Sequence, residues 1–293
     1  MNAGVIGGGA IGLLFAAYLS RTHCITIYTN TEEQAAAIRE NGITLLKGSA
    51  PLQSFPGATA SRHYKEELLI LTVKQFQLPS VLENLSPSHP KTLLFLQNGM
   101  GHIHSLSELR GHNLYTGSVS HGAFKRSLNE VRHNGSGGTV YSAFSAEGAA
   151  HDEGLIQSLG TEDFPFLLAP DWYIVLAEKL LVNACVNPLT GLLKVRNGEL
   201  IDNPHYLHLL KKVFNEAFEI LELPDKTKQW ENVQKVCSMT SDNTSSMLQD
   251  LANGRKTEIE GIAGFLLEEA AKKRVQAPIL DFTYKAIKGM ESM

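Results

Sequence analysis

Along the first third of the chain, short aliphatic and β-branched runs alternate with segments whose apolar residues recur at helical spacing. The runs Ala3 to Ile6, Cys24 to Tyr28, Leu68 to Val73 and Leu93 to Leu96 read as strands. Residues 11–19 and 31–39 read as helices, the second opened by Thr31 as N-cap before two glutamates. Strand and helix in alternation predict a parallel, doubly wound sheet with crossover helices. From Asn113 to Phe144 the period shortens to two and is punctuated by Gly135, Gly137 and Gly138, which predicts antiparallel hairpins extending the same sheet. Phe164 to Leu168 reads as one more strand. Pro170-Asp171 then opens a stretch that is helical to the end. The expected organisation is an α/β domain over residues 1–169 and an all-helical domain over residues 170–293.

Composition narrows the partners. With 293 residues, 43% hydrophobic and 19% charged, the chain is long enough for two domains, each with its own core. A net charge of -4, with basic residues only singly or in pairs, argues against nucleic acid and anionic membrane as partners. Cys24, Cys185 and Cys237 are widely spaced and sit in no metal-binding pattern, so neither a disulfide nor a structural metal is expected. The apolar stretch 11–19 is too short to span a bilayer and follows glycines, not a basic leader, which suggests a reducing, cytoplasmic setting.

Those glycines carry the first chemistry. Gly7-Gly8-Gly9-Ala10-Ile11-Gly12 follows a strand and opens a helix, the context a dinucleotide-binding loop requires in a Rossmann-type domain. Gly7 permits the tight turn, Gly9 lets a pyrophosphate approach the backbone, and Gly12 lets helix and strand pack closely. The choice between NAD and NADP depends on the end of the second strand, which reads Tyr28-Thr29-Asn30-Thr31 and carries no carboxylate. Glu32 stands about 20 residues past the loop but falls inside the next helix, so the strand end favours NADP.

Lys74 and Asn98 follow strands directly, where ligands bind in open α/β sheets, although such residues are otherwise solvated loop and turn positions. Further on, Lys179 and Asn183 share one face of an unusually apolar helix. A lysine in such surroundings loses solvation when charged, which lowers its pKa towards the range of a general acid. Asn187 comes one turn later, and Pro188 predicts that the helix stops or kinks there. Glu258 and Glu260 are both candidate partners for the lysine, and spacing does not choose between them.

Taken together these motifs resemble the ketopantoate reductases. The resemblance runs through the glycine loop, Val73-Lys74 with Gln77, Asn98-Gly99-Met100-Gly101, Lys179 to Asn183, Asn187-Pro188-Leu189-Thr190, Asn197-Gly198-Glu199-Leu200, Ser245 to Asp250 and Thr257-Glu258-Ile259. It implies an NADP-dependent enzyme acting on a small 2-keto acid, 2-dehydropantoate, with Lys179 as proton donor. It also implies Glu258 as the glutamate that orients the lysine or touches the cofactor. By the same resemblance Asn183, Asn187, Asn197, Asn243 and Ser246 bind substrate, while Lys74, Asn98 and Ala123 contact the cofactor. One position departs from the pattern: many members carry an arginine at the end of the second strand, and this chain has Asn30. A reductase of another 2-keto acid and a catalytically silent NADPH sensor are the alternatives, and a homo-oligomer is compatible with either.

Overall fold

The computed structural model describes residues 1–48, 50–86, 89–145 and 149–292. They form two compact units, Met1–Gln97 with His104–Val175, and Asn98–Ile103 with Leu176–Met293.

The first unit runs β1 (Asn2–Ile6), α1 (Ala10–Leu19), β2 (Cys24–Tyr28), α2 (Glu32–Asn41), β3 (Ile43–Lys47), β4 (Ala50–Ser54), β5 (Gly57–Thr59), β6 (Leu68–Leu71), α3 (Leu78–Leu82) and β7 (Thr92–Phe95). It continues through α4 (Ile103–Glu108), β8 (Asn113–Val119), β9 (Gly122–Lys125), β10 (Glu130–Gly135), β11 (Thr139–Ser145), α5 (Ala149–Gln157) and β12 (Phe166–Leu168). The main sheet has the order β12-β11-β8-β7-β6-β1-β2-β5. β1 lies between β2 and β6, parallel to both, so the winding reverses there. That reversal opens a crevice at the carboxyl end of β1, the place where doubly wound sheets bind ligands.

The expected hairpins divide between two sheets. β11 pairs antiparallel with β8 and extends the main sheet, but β9 and β10 join β3 and β4 in a separate sheet of order β4-β3-β10-β9. The reason lies in α1. Leu13, Leu14, Phe15, Ala16, Ala17 and Leu19 are all buried, and a helix apolar on every side needs cover on both faces. The main sheet covers one face; β3, β9 and β10 supply the other. Thr31 caps α2 as its position predicts, its hydroxyl accepting from Gln34 N at 3.3 Å.

The second unit is helical: α6 (Trp172–Leu193), α7 (Glu199–Asp202), α8 (Pro204–Leu221), α9 (Lys226–Met239), α10 (Ser246–Ala252), α11 (Phe265–Lys273) and α12 (Pro278–Glu291), with a π-helical turn Glu260–Gly264 entering α11. α8 buries Leu210, Val213, Phe214, Ala217, Ile220 and Leu221 at helical spacing and packs on α11 and α12. Glu216 of α8 accepts from Ile279 N and Leu280 N and so caps the start of α12.

α6 does not stop at Asn187. It passes through Pro188 to Leu193, with Leu180, Leu181, Ala184, Cys185, Val186, Leu189 and Thr190 buried around it. An interior proline costs roughly 3 kcal/mol, whereas each large aliphatic side chain buried contributes about 1.5–3 kcal/mol, so packing outweighs the break. Thr190 Oγ1 also donates to the carbonyls of Val186 (2.8 Å) and Asn187 (3.0 Å). Among the described residues no helix is long and apolar enough to cross a membrane.

Candidate active site

In the first unit, β1 leads straight into the glycine loop. Gly7 has φ +119, a conformation that excludes side chains, and its N–H donates to Tyr28 O at 2.9 Å. A Cβ at Gly12 would overlap the Gly7 carbonyl oxygen, so only glycine lets α1 start this close to β1. Thr72 Oγ1 ties the turn down by donating to Ile6 O at 3.0 Å. Gly9 is the N-cap of α1 and no side chain caps the helix there; the first turn, which includes Ala10 and Ile11, holds no acid. Among the described residues, apart from Gly9 and its two chain neighbours, no atom lies within 4 Å of where a Gly9 Cβ would stand. An uncapped helix start beneath open space fits a phosphate group.

Two side chains that the sequence reading did not single out brace this loop. Gln34 Nε2 donates to Gly8 O (2.9 Å) and Leu128 O (2.7 Å), and Lys125 Nζ donates to Gly8 O at 2.9 Å. Burial lowers the pKa of Lys125. Neither carries a local signal, because each acts on a distant carbonyl. The other first-unit candidates are spread over the loops and the second sheet. Lys74 follows β6 after Thr72 and Val73, and its N–H donates to Gln77 Oε1 at 3.1 Å, which accounts for the Lys74–Gln77 pairing in the motif. Ala123 stands on β9 opposite His133 of β10. Asn30 lies exposed beyond β2, where its Oδ1 accepts from Arg62 at 2.7 Å.

The second unit gathers the remaining candidates. Lys179, Asn183 and Asn187 follow one another at i+4 along α6. Asn98 belongs to this unit because Gly99, at φ +79, lies against the π-helical turn: a Cβ there would overlap Gly261 O, and Met100 N donates to the same oxygen at 2.9 Å. Asn98 Nδ2 donates to Glu258 Oε2 at 2.9 Å. Glu260 faces elsewhere, accepting from Tyr284 at 2.8 Å and pairing with Lys288 at 2.8 Å. Burial pulls the Lys179 pKa down to about 8, while the charge of Glu258 acts in the opposite direction.

A cleft of about 230 Å³ is lined by Asn98, Asn183, Asn187, Asn197, Asn243 and Ser246, together with Val182, Val186 and Thr240. Asn197 Nδ2 donates to Thr240 Oγ1 at 2.9 Å and its backbone N–H to Asn243 O at 3.1 Å. Its Oδ1 is buried and, among the described residues, accepts no hydrogen bond. A buried acceptor in this position is suited to a ligand hydroxyl. Ser245, which the sequence reading passed over as an individual residue, accepts from Leu248 N (3.1 Å) and donates its hydroxyl proton to Thr190 Oγ1 (2.7 Å), whose own proton is directed at the α6 carbonyls, fixing α10 to α6. Its place before an apolar helical run was the available signal. Thr240 offered none.

Fold and site together define an oxidoreductase with a Rossmann-type first unit and a helical second one. Comparison with known proteins carries this further. Residues 3–146 match the family model "Ketopantoate reductase PanE/ApbA" and residues 172–291 its C-terminal counterpart. The chain belongs to the ketopantoate reductase family. It is 46% identical to the 2-dehydropantoate 2-reductase of Bacillus subtilis (strain 168), covering 99% of this chain and 98% of that one. The crystal structure of the probable 2-dehydropantoate 2-reductase panE from Bacillus subtilis superposes with a TM-score of 0.90, at 46% identity, over 99% of this chain and 100% of that one. A ternary structure of D-mandelate dehydrogenase with NADH and anilino(oxo)acetate shares the fold, with a TM-score of 0.92 at 21% identity over 100% of this chain and 98% of that one.

Proposed function

We propose that this protein reduces 2-dehydropantoate to pantoate with NADPH, a cytoplasmic step towards pantothenate and coenzyme A. The observation that carries the reading is Lys179: an ammonium brought by burial to a pKa of about 8, one helical turn from Asn183 in a cleft lined by amides. NADPH, when bound, supplies the hydride. Lys179 donates the proton to the ketone oxygen and, before that, offsets the negative charge developing there. Glu258, held by Asn98, keeps the lysine charged and oriented. Asn197 Oδ1 accepts from the substrate hydroxyl, and Asn183, Asn187, Asn243 and Ser246 position that hydroxyl and the carboxylate. The first unit is taken as the dinucleotide-binding domain, where Gly7 to Gly12 hold the pyrophosphate, and the second as the substrate-binding domain; Lys74, Ala123 and Asn98 are the further cofactor contacts that the family resemblance implies.

The test is NADPH oxidation with 2-dehydropantoate beside other small 2-keto acids. The wild type turns over 2-dehydropantoate with the highest kcat/KM, and Lys179→Ala lowers kcat by about 10²- to 10⁴-fold, the usual contribution of a general acid. Preference for a different keto acid overturns the substrate, and activity within a few-fold in Lys179→Ala overturns the proton donor.

A further inference from the structure

NADP differs from NAD only by a phosphate on the adenosine ribose, so preference for it needs a cation where that ribose lies. In a doubly wound sheet this is the carboxyl end of the second strand. Here β2 ends at Tyr28, and Thr29, Asn30 and Thr31 after it are neutral. The next acid does not face the opening as a free carboxylate. Glu32 is paired with Arg39 at 2.5 Å, and Arg39 is itself anchored by donating to Ala58 O at 3.0 Å.

The cation arrives from the neighbouring strand. β5 runs parallel to β2 with Thr59 opposite Tyr28, so the two strands end at the same level. The chain leaves β5 through a turn shaped by its own hydroxyls: Thr59 Oγ1 accepts from Ser61 N at 3.1 Å and Ser61 Oγ from His63 N at 3.0 Å. Tyr64, buried and edge-on to Tyr28 at 5.0 Å, anchors the far side. Between these fixed points Arg62 is exposed, and its Nη2 donates to Asn30 Oδ1 at 2.7 Å. A guanidinium has five N–H donors, so this bond, with the Tyr64 hydroxyl also close to the guanidinium, holds Arg62 in place and still leaves donors that can meet a phosphate. With its Oδ1 engaged by Arg62, Asn30 presents its own amide N–H groups beside those donors.

The geometry points to Arg62, positioned by Asn30, as the residue that recognises the 2′-phosphate and sets preference for NADPH over NADH. The assignment rests on the reading of NADPH as the cofactor. It also places the strand-end cation of this chain on β5 and not on β2, which explains why a search along the end of β2 finds no charge.

Calorimetric titration of the full-length protein tests it without turnover, using NADPH, NADH, adenosine 2′,5′-bisphosphate and 5′-AMP as ligands. The wild type binds NADPH and the bisphosphate more tightly than their counterparts lacking the 2′-phosphate. Arg62→Ala weakens those two ligands by about 10- to 100-fold, the range for charge-assisted hydrogen bonds, and leaves NADH and 5′-AMP unchanged. Arg62→Lys falls between. If the wild type shows no preference for NADPH, the cofactor reading fails and the assignment with it. If the wild type prefers NADPH and Arg62→Ala keeps the same ratio, the cofactor reading stands and the assignment is overturned. An equal loss for all four ligands also overturns it, since that marks damage to the turn.

Discussion

Two opposed effects set the proton affinity of Lys179: burial disfavours the ammonium, and the carboxylate of Glu258 favours it. With a pKa of about 8 the side chain is mostly protonated at neutral pH and still able to release its proton. The proposed role of Lys179 as proton donor requires the protonated form, so on that reading kcat/KM for reduction falls as pH rises through about 8. Removing the carboxylate charge in Glu258→Gln removes the effect that raises the pKa, and the falling limb moves to lower pH. A pH–rate profile of both proteins checks the order; coincident limbs contradict it. The same shift has a cost in stability. Because the folded pKa lies below the ordinary value of 10.5, the unfolded chain binds more protons between pH 8 and 10.5, and this group's contribution to stability rises with pH across that window. At neutral pH the penalty is fully present. Lys179→Met therefore unfolds at higher denaturant concentration than the wild type, by up to ~3 kcal/mol.

α6 carries Lys179, Asn183 and Asn187, and Thr190 near its end ties it to α10. Thr190 Oγ1 serves Val186 O, Asn187 O and Ser245 Oγ at 2.8, 3.0 and 2.7 Å. The first two bonds hold the hydroxyl against the carbonyls of its own preceding turn, and the third joins α6 to Ser245, the N-cap of α10. Thr190→Val keeps the shape of the side chain and loses all three bonds in a buried site. The expected destabilisation is about 1–3 kcal/mol by urea titration. If Asn187 and Ser246, which flank those bonds, contact the substrate as proposed, KM for the keto acid rises as well, whereas affinity for the dinucleotide, measured by titration, stays unchanged. A change confined to the dinucleotide contradicts this account.

In the first unit a buried chain of hydrogen bonds joins α1 to β10 and to the loops that follow β8 and β10. Tyr18 OH contacts His133 Nδ1 at 2.8 Å, His133 Nε2 contacts His121 Nδ1 at 3.2 Å, and Gly137 N donates to that same His121 nitrogen at 3.1 Å. Since His121 Nδ1 accepts from a backbone N–H, His133 Nε2 carries the proton between the rings and Tyr18 donates to His133 Nδ1. Both imidazoles are neutral. Burial, with added repulsion from Lys47, holds His121 down to about 4 and lowers His133 as well. Both folded values lie below the ordinary 6.5, so the stability the two contribute is complete above that pH and falls below it, the part due to His121 being lost as pH falls towards 4. The urea midpoint drops between pH 6.5 and 5, and His121→Gln, which cannot titrate, flattens that slope; equal slopes for the two proteins contradict the account. None of this chain is visible in the sequence, whereas much around it is. The βαβ opening, the glycine loop, the cap at Thr31 and the helical second half are legible because strand period, helix period, capping and turn chemistry act among residues a few positions apart. The tertiary structure alone decided that β9 and β10 leave the main sheet, that α6 continues past Pro188, that Asn98 donates to Glu258, and that Arg62 donates to Asn30. Those pairs lie 160 and 32 residues apart, and a contact across such a separation depends on packing that no local pattern records.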